Sequence, residues 1–309
     1  MISVIITTFK RNPEIVQRAI NSVLKQTYTQ WELIVVDDSP ANYSLRKEIK
    51  NMVQELSSAF PVYYIANKEN MGACRSRNIG LAVAKGEYVA FLDDDDEWLP
   101  SKLERQLQCF NNALAKTAIV YCGRIVIDEQ QKNTFVCEAK EIVANNCLDE
   151  LLANNFIGGT SIPLLKTAYV REVGGFDPKM QSLQDLDLWI RLACKYPIKA
   201  IKEPLVKYYL YLGEQVSNNP SKKLAGLKRM YTKNEIFIKA NSFINWYYSY
   251  RIAFFEACNK SVFKALYMFL KSVLLEPFWF KKNLKNLIRI FKGYLASFLS
   301  TEKRYPYQH

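Results

Sequence analysis

Residues 86–100 read Gly86-Glu87-Tyr88-Val89-Ala90-Phe91-Leu92-Asp93-Asp94-Asp95-Asp96-Glu97-Trp98-Leu99-Pro100. The run 88–92 is apolar and short, and it closes on four successive aspartates, so it reads as a buried strand delivering an acidic end to a turn. Four carboxylates in a row repel one another and raise one another's pKa values unless a cation screens them. The only histidine is His309, and the cysteines at 74, 109, 122, 137, 147, 194 and 258 show no C-x-x-C spacing. The available donors are therefore oxygens, which suit hard Mg2+ or Mn2+. Such an ion takes one or two carboxylates and fills its shell with phosphate oxygens and water. The competing reading is a solvated acidic loop that favours the amino end of the following helix through its dipole.

Outward from this stretch, residues 3–8, 32–36 and 62–66 form three further strand-like runs separated by helical patterns. Repeated βαβ units predict an α/β fold with a mostly parallel central sheet. Asn12-Pro13 offers a cap followed by proline at the first helical position, and Val16, Ile20, Val23 and Leu24 supply an apolar face. Downstream, Ser101 is expected to cap a helix with Leu103, Leu107, Phe110 and Leu114 on one side. In open α/β sheets ligands sit at the carboxyl ends of the strands. Thr7-Thr8-Phe9, Asp37-Asp38 and Asp93 to Asp96 all fall at such ends.

From about 117 to 210 the pattern is mixed, with a strand-like run at 118–127, a Gly158-Gly159-Thr160-Ser161 turn and a helix from about 185 to 194. Beyond 220 the composition shifts to Lys, Phe, Tyr and Leu with helical periods, and Pro277 separates two helices. The expected organisation is a catalytic domain over residues 1–220, split into a nucleotide-binding half (1–100) and an acceptor half (101–220), then a basic helical region over 221–309.

The motifs together resemble the family 2 nucleotide-sugar glycosyltransferases of the GT-A fold, in the family's order across residues 1 to about 217. Ser3-Val4-Ile5-Ile6-Thr7-Thr8-Phe9 looks like the family's first strand, and Ile34-Val35-Val36-Asp37-Asp38-Ser39 like its second. Asn70-Met71-Gly72 and Arg77-Asn78-Ile79-Gly80 resemble its Asn-x-Gly and Arg-Asn-x-Gly pair, and residues 86–96 its strand-plus-D-x-D segment. The resemblance implies a UDP-sugar donor, with Asp38 accepting the uracil N3 proton. Thr7, Phe9, Asn70, Gly72, Arg77, Asp93 and Asp94 would lie around the nucleotide. Asp93 and Asp95 would form the D-x-D pair, with Asp95 as the direct metal ligand and Asp96 able to share that role.

Inverting transfer needs a carboxylate to take the acceptor hydroxyl's proton as that oxygen attacks opposite the diphosphate. Gly174-Gly175-Phe176-Asp177 and Gln184-Asp185-Leu186-Asp187-Leu188-Trp189-Ile190-Arg191 resemble the family's Gly-Gly-Phe-Asp and Glu-Asp-x-Asp-x-Trp segments, which makes Asp185 the base. Asp185 shares a helical face with Leu188, Trp189 and Leu192, an apolar cover that would raise its proton affinity. Asp187 is expected instead to pair with Arg191 four residues on. Gln184, Trp189 and Gly159 are placed on the acceptor side. Two departures stand out: Gln184 replaces the usual Glu, and Tyr211 falls near a position often held by His. Residues 213–217 resemble a loop that closes over the diphosphate.

The net charge of +12 is uneven, since residues 225–309 hold 15 Lys and Arg against 4 Asp and Glu. Over 281–299 apolar and basic residues segregate to opposite helical faces, which suits either an anionic membrane surface or packing on protein, including a second subunit. Nucleic acid is disfavoured because no recognisable reading module carries the charge. The amino terminus reads as a strand, no apolar run reaches the roughly 18 residues of a membrane span, and the cysteine usage suits a reducing compartment. A cytoplasmic location is expected, with peripheral attachment to the inner face of the plasma membrane open. The acceptor would be a hydroxyl on a glycan, lipid-linked saccharide or cell-wall polymer. Two rival functions are a catalytically silent nucleotide-sugar or glycan-binding module, kept open by Gln184, and a metal-dependent phosphohydrolase. The latter usually carries its D-x-D on the first strand, not the fourth.

Overall fold

The computed structural model describes residues 1–128, 132–141, 147–210, 219–275, 285 and 287–291. The chain divides into two compact units. The first comprises residues 1–151, 155–178 and 185–211, and the second residues 152–154, 179–184 and 212–309.

In the first unit the strands are β1 (Ile2–Thr8), β2 (Trp31–Asp37), β3 (Val62–Ala66), β4 (Tyr88–Asp93), β5 (Glu97–Trp98), β6 (Ile119–Asp128), β7 (Asn133–Cys137), β8 (Leu164–Lys166) and β9 (Ile198–Tyr209). They form one sheet in the order β3-β2-β1-β4-β8-β6-β9-β5, with β7 paired to β6. Pairing among β1 to β4 is parallel. The short β8 runs antiparallel to both β4 and β6, so the parallel half passes into a mixed half at that point. β1 and β2 are buried along nearly their whole length, as expected of strands covered on both faces. The register sets Thr7 opposite both Val36 and Asp93, and Thr8 opposite Asp37. Three strand ends are thereby level, which gathers the polar motifs at one rim of the sheet.

The helices are α1 (Pro13–Leu24), α2 (Arg46–Leu56), α3 (Ala73–Val83), α4 (Lys102–Asn111), α5 (Cys147–Ala153), α6 (Thr167–Glu172), α7 (Gln184–Ala193), α8 (Pro220–Lys233), α9 (Glu235–Ala240), α10 (Ser242–Cys258) and α11 (Val262–Leu275). α1 starts as its sequence predicts: Asn12 Oδ1 accepts from the Glu14 N–H, and proline takes the first turn. α4 differs from expectation. Ser101 occupies the cap position without a side-chain cap bond, the helix closes at Asn111, and Leu114 beyond it is 66% exposed. The face turned inward carries Lys102 and Gln106 beside Leu103 and Phe110. Gln106 Nε2 donates to the carbonyls of Val120 and Ile162, both at 2.9 Å, and its Oε1 accepts from Lys102 Nζ at 2.8 Å. The Lys102 ammonium also lies 4.0 Å from the Trp98 ring centroid, and burial pushes its pKa down to about 8. Polar groups win this face because they satisfy backbone carbonyls that leucine would leave without donors.

α3 packs closely on β1. A Cβ added at Gly80 would lie 2.6 Å from Cγ2 of the buried Ile5, whose branched side chain cannot swing away. Gly80→Ala is therefore expected to destabilise. Overpacking costs about 1–3 kcal/mol and outweighs the gain of up to about 1 kcal/mol in helix propensity. A fall in the unfolding midpoint checks this, and a rise contradicts the close approach.

In the second unit α8 to α11 form a helical assembly. The amino end of α8 repeats the Asn-Pro device, Asn219 accepting from the Lys222 N–H. α10 is buried around much of its circumference by aromatic and aliphatic residues. Tyr211, residues 213–217 and Pro277 lie outside the described residues, as does most of the segment 281–299.

Candidate functional site

Asp37 and Asp38 end β2 and part in role. Asp37 is fully buried and accepts from the Ser39 N–H and the Tyr64 hydroxyl, a bracing arrangement within the fold. Asp38 faces the turn before α3, where its Oδ1 accepts from Asn67 Nδ2 (2.7 Å) and the Met71 N–H (2.8 Å), and its Oδ2 from the Gly72 N–H (2.8 Å). Oδ2 keeps spare acceptor capacity, since a carboxylate oxygen can take a second donor. Asn70 Oδ1 accepts from the same Gly72 N–H at 3.0 Å. Gly72 sits at the α3 cap with φ +83°, a conformation that side chains with a Cβ rarely adopt. At the end of β1, Thr7 is partly buried and Phe9 presents its ring to solvent.

The four aspartates are not equivalent. Asp93 is 31% exposed in its side chain and Asp95 19%, whereas Asp94 is 6% exposed and Asp96 is buried. This alternation turns the two members of the D-x-D pair outward. Arg77 Nη2 pairs with Asp93 Oδ1 at 2.7 Å, and the Thr160 hydroxyl donates to the same oxygen at 2.8 Å. Arg11 Nη2 bridges Asp94 Oδ1 (2.8 Å) and Asp95 Oδ2 (2.9 Å), while Arg18 donates to the Asp95 carbonyl at 2.7 Å. Ser161 Oγ donates to Asp96 Oδ2 at 2.5 Å, and Asp96 Oδ1 is buried without a hydrogen-bond partner.

Burial is the largest influence on this cluster and pushes the Asp94, Asp95 and Asp96 pKa values up, Asp95 to about 6. Neighbouring aspartates push the same way on all three, and the Arg11 guanidinium opposes the rise at Asp94 and Asp95. The site thus carries more negative charge than its arginines neutralise, and it offers only oxygen donors. That donor set fits a hard divalent ion held by one or two carboxylates, with the rest of its shell drawn from a ligand. Among the described residues no three His, Cys, Asp or Glu side chains gather to hold a metal by themselves.

Asp185 stands in the first turn of α7, whose inward face buries Leu186, Leu188, Trp189, Ile190 and Leu192. Asn155 positions it. Asn155 Nδ2 donates to Asp185 Oδ2 at 3.0 Å and to the Gly158 carbonyl at 3.2 Å, and its Oδ1 accepts from the Gly158 N–H at 3.1 Å. Trp189 Nε1 donates to the same Gly158 carbonyl at 3.0 Å, so the 158–161 turn is tied to α7. Gly159 has open space where a side chain would stand. Burial raises the Asp185 pKa, opposed by its own helix backbone, by Arg77 through space and by Asn155; Asp93 adds to the rise. Asp187 takes the expected partner, Arg191 at 2.8 Å, and Arg191 also donates to the carbonyls of Val173 and Gly175. Gln184 Nε2 donates to the Met180 carbonyl at 3.2 Å within the second unit.

Asn155, Arg11, Arg18 and Ser161 were not singled out from the sequence. The arginines carried a signal, because four adjacent aspartates imply nearby cations and Lys10-Arg11 stands one residue past the end of β1. Asn155 carried none. Should Asp185 act as the base, Asn155→Ala is expected to move the acid limb of the kcat profile to higher pH, because a hydrogen bond that favours the ionised form is lost. The sign follows from the bond favouring ionised Asp185: without it the carboxylate holds its proton to higher pH. A limb at unchanged pH contradicts the role.

The sequence matches the Glycosyl transferase family 2 model over residues 3–155. An uncharacterized glycosyltransferase of Haemophilus influenzae is 32% identical over 192 residues, which cover 62% of this chain and 62% of that protein, less than two thirds of its length. WcaA of Escherichia coli K12, a glycosyl transferase named for colanic acid biosynthesis, is 28% identical over 258 residues, covering 76% of this chain and 81% of its own. TuaG of Bacillus subtilis, named for teichuronic acid biosynthesis, is 28% identical over 246 residues, covering 78% of this chain and 91% of its own. The fold is similar to the crystal structure of S. aureus TarS residues 1–349, with a TM-score of 0.58 and 16% identity across 96% of this chain and 91% of that one. A further TarS structure, in complex with UDP-GlcNAc, gives a TM-score of 0.60 at 15% identity. With its strand-end motifs at one rim of a GT-A-like sheet and the family match running from β1 through the acidic turn to Asn155, residues 3–155 of this chain are a glycosyltransferase family 2 domain.

Proposed function

We propose that the chain transfers a sugar from a UDP-sugar to an acceptor hydroxyl with inversion at the anomeric carbon, in the building of a bacterial surface polysaccharide. The observation that carries this reading is the 158–161 turn, which bonds Asp93 through the Thr160 hydroxyl and, through Gly158, bonds Asn155 and Trp189 beside Asp185. A donor-side charge network and a desolvated carboxylate of raised basicity therefore meet in one place, as a displacement at a sugar carbon requires.

Asp38 Oδ2 accepts the uracil N3–H, and the Asn70–Gly72 turn lies against the base. The exposed Phe9 ring and Thr7 border the same strand end. Asp95, with Asp93, would hold Mn2+ or Mg2+, and Asp96 supports the turn from within. When bound, the ion supplies positive charge against the departing diphosphate. Arg77 holds Asp93 in place and adds a second positive charge beside it, and Asp185 receives the acceptor proton. Gly159 and Trp189 shape the acceptor side. WcaA and TuaG support the surface-polysaccharide assignment by their names, and the UDP-GlcNAc complex of TarS supports a UDP-sugar donor. No helix among the described residues is long and apolar enough to cross a membrane. The basic segment 281–299 suits contact with the inner face of the plasma membrane or packing on protein, and flotation with anionic vesicles separates the two.

A thermal-shift panel of nucleotides tests the donor reading. UDP at about 100 times its Kd is expected to add about 2.7 kcal/mol, or roughly 5–10 °C, in Mn2+ and far less in chelator. Equal shifts from all nucleotides with or without metal contradict it. Slow UDP-sugar hydrolysis in Mn2+ separates an enzyme from a silent binding module.

A further inference from the structure

α11 is amphipathic in the reverse of the usual sense. Its inward face buries Ala265, Phe269 and Ser272 within the helical unit. The opposite stripe, at spacings of four, seven and eleven residues, is also apolar: Phe263 is 90% exposed, Tyr267 67%, Leu270 53% and Leu274 82%. Val262 and Leu266 widen it. A contiguous exposed apolar surface of this kind marks an interaction site.

Charge decides between occupants. Residues 219–275 hold ten Lys and Arg against two Asp and Glu. Both acidic residues are engaged within the unit, Glu235 with Lys239 and Glu256 with Lys228. Lys260 and Lys264 are exposed at the amino end of α11, beside the apolar stripe. The same face of a second copy would bring like charge against like charge, with few carboxylates in this unit to offset it. An anionic bilayer offers the complement to both features, acyl chains for the stripe and headgroup phosphates for the lysines.

We propose that the outward face of α11 docks on an anionic lipid surface. This contact is separate from the segment 281–299 and does not depend on the transfer chemistry proposed above.

The test is flotation of the full chain with vesicles of phosphatidylcholine alone or mixed with phosphatidylglycerol, at low salt. Wild-type protein is expected to float with the anionic vesicles only. Phe263→Ser/Leu274→Ser is expected to reduce that fraction by about tenfold or more, with circular dichroism and UDP–Mn2+ affinity unchanged. Leu270→Gln reads the same face should the double variant fold poorly. Undiminished flotation of both variants overturns the proposal. So does a wild-type protein that ignores lipid charge, a dimer in sedimentation that the variants dissolve, or a large drop in melting temperature showing that the chain's own residues cover the stripe.

Discussion

Asp185→Asn is expected to lower sugar transfer by about 10²- to 10⁴-fold, the usual contribution of a positioned general base. The amide keeps the size and shape of the carboxylate and can still meet Asn155 and the start of α7. What it loses is the ability to accept a proton at the pH of the reaction. Burial raises the basicity of this group above that of an ordinary aspartate, which favours proton transfer to it. The donor groups at Asp38 and Gly72 belong to a different strand end, so UDP affinity should change by less than a factor of about two. Single-turnover assays and calorimetry on the same preparation check the split. Wild-type turnover in this variant would remove Asp185 from the mechanism.

Asp95→Ala is expected to weaken UDP binding by about 100-fold in Mn2+, on the scale by which even supporting residues of metal sites alter affinity. In chelator the variant and the wild type should bind UDP equally weakly. This contrast matters because Asp95 has a second partner. Its side chain shares Arg11 with Asp94, so the substitution also removes one ion pair. The Arg11–Asp94 contact remains, so the arginine keeps a carboxylate partner. An affinity loss of the same size with and without metal would show that Asp95 acts through Arg11 and not through a cation.

The parallel half of the fold was legible because β1 and β2 are buried on both faces and so carry continuous apolar runs at 4–6 and 33–36. Their polar ends then fall where the apolar runs stop, which locates Thr7, Asp38 and Asp93 from local pattern alone. The mixed half was less legible. β5 has two residues and β8 three, too short to show a period, yet β8 joins β4 to β6 and so sets the antiparallel turn of the sheet. The inward Lys102 and Gln106 were hidden for a different reason. Their partners at Trp98, Val120 and Ile162 are fixed by tertiary packing, and helical periodicity marks only apolar faces. The same holds for Arg11, which meets Asp94 across 83 residues of sequence, and for Asn155, which meets Asp185 across 30. Asp187 was readable because its partner Arg191 lies one helical turn away.

The most direct test of the account is a crystal structure of the protein soaked with UDP and Mn2+. An anomalous manganese peak is expected beside the Asp95 carboxylate, with the uracil N3 at Asp38. Manganese absent from that turn, or the nucleotide seated away from Asp38, would contradict it.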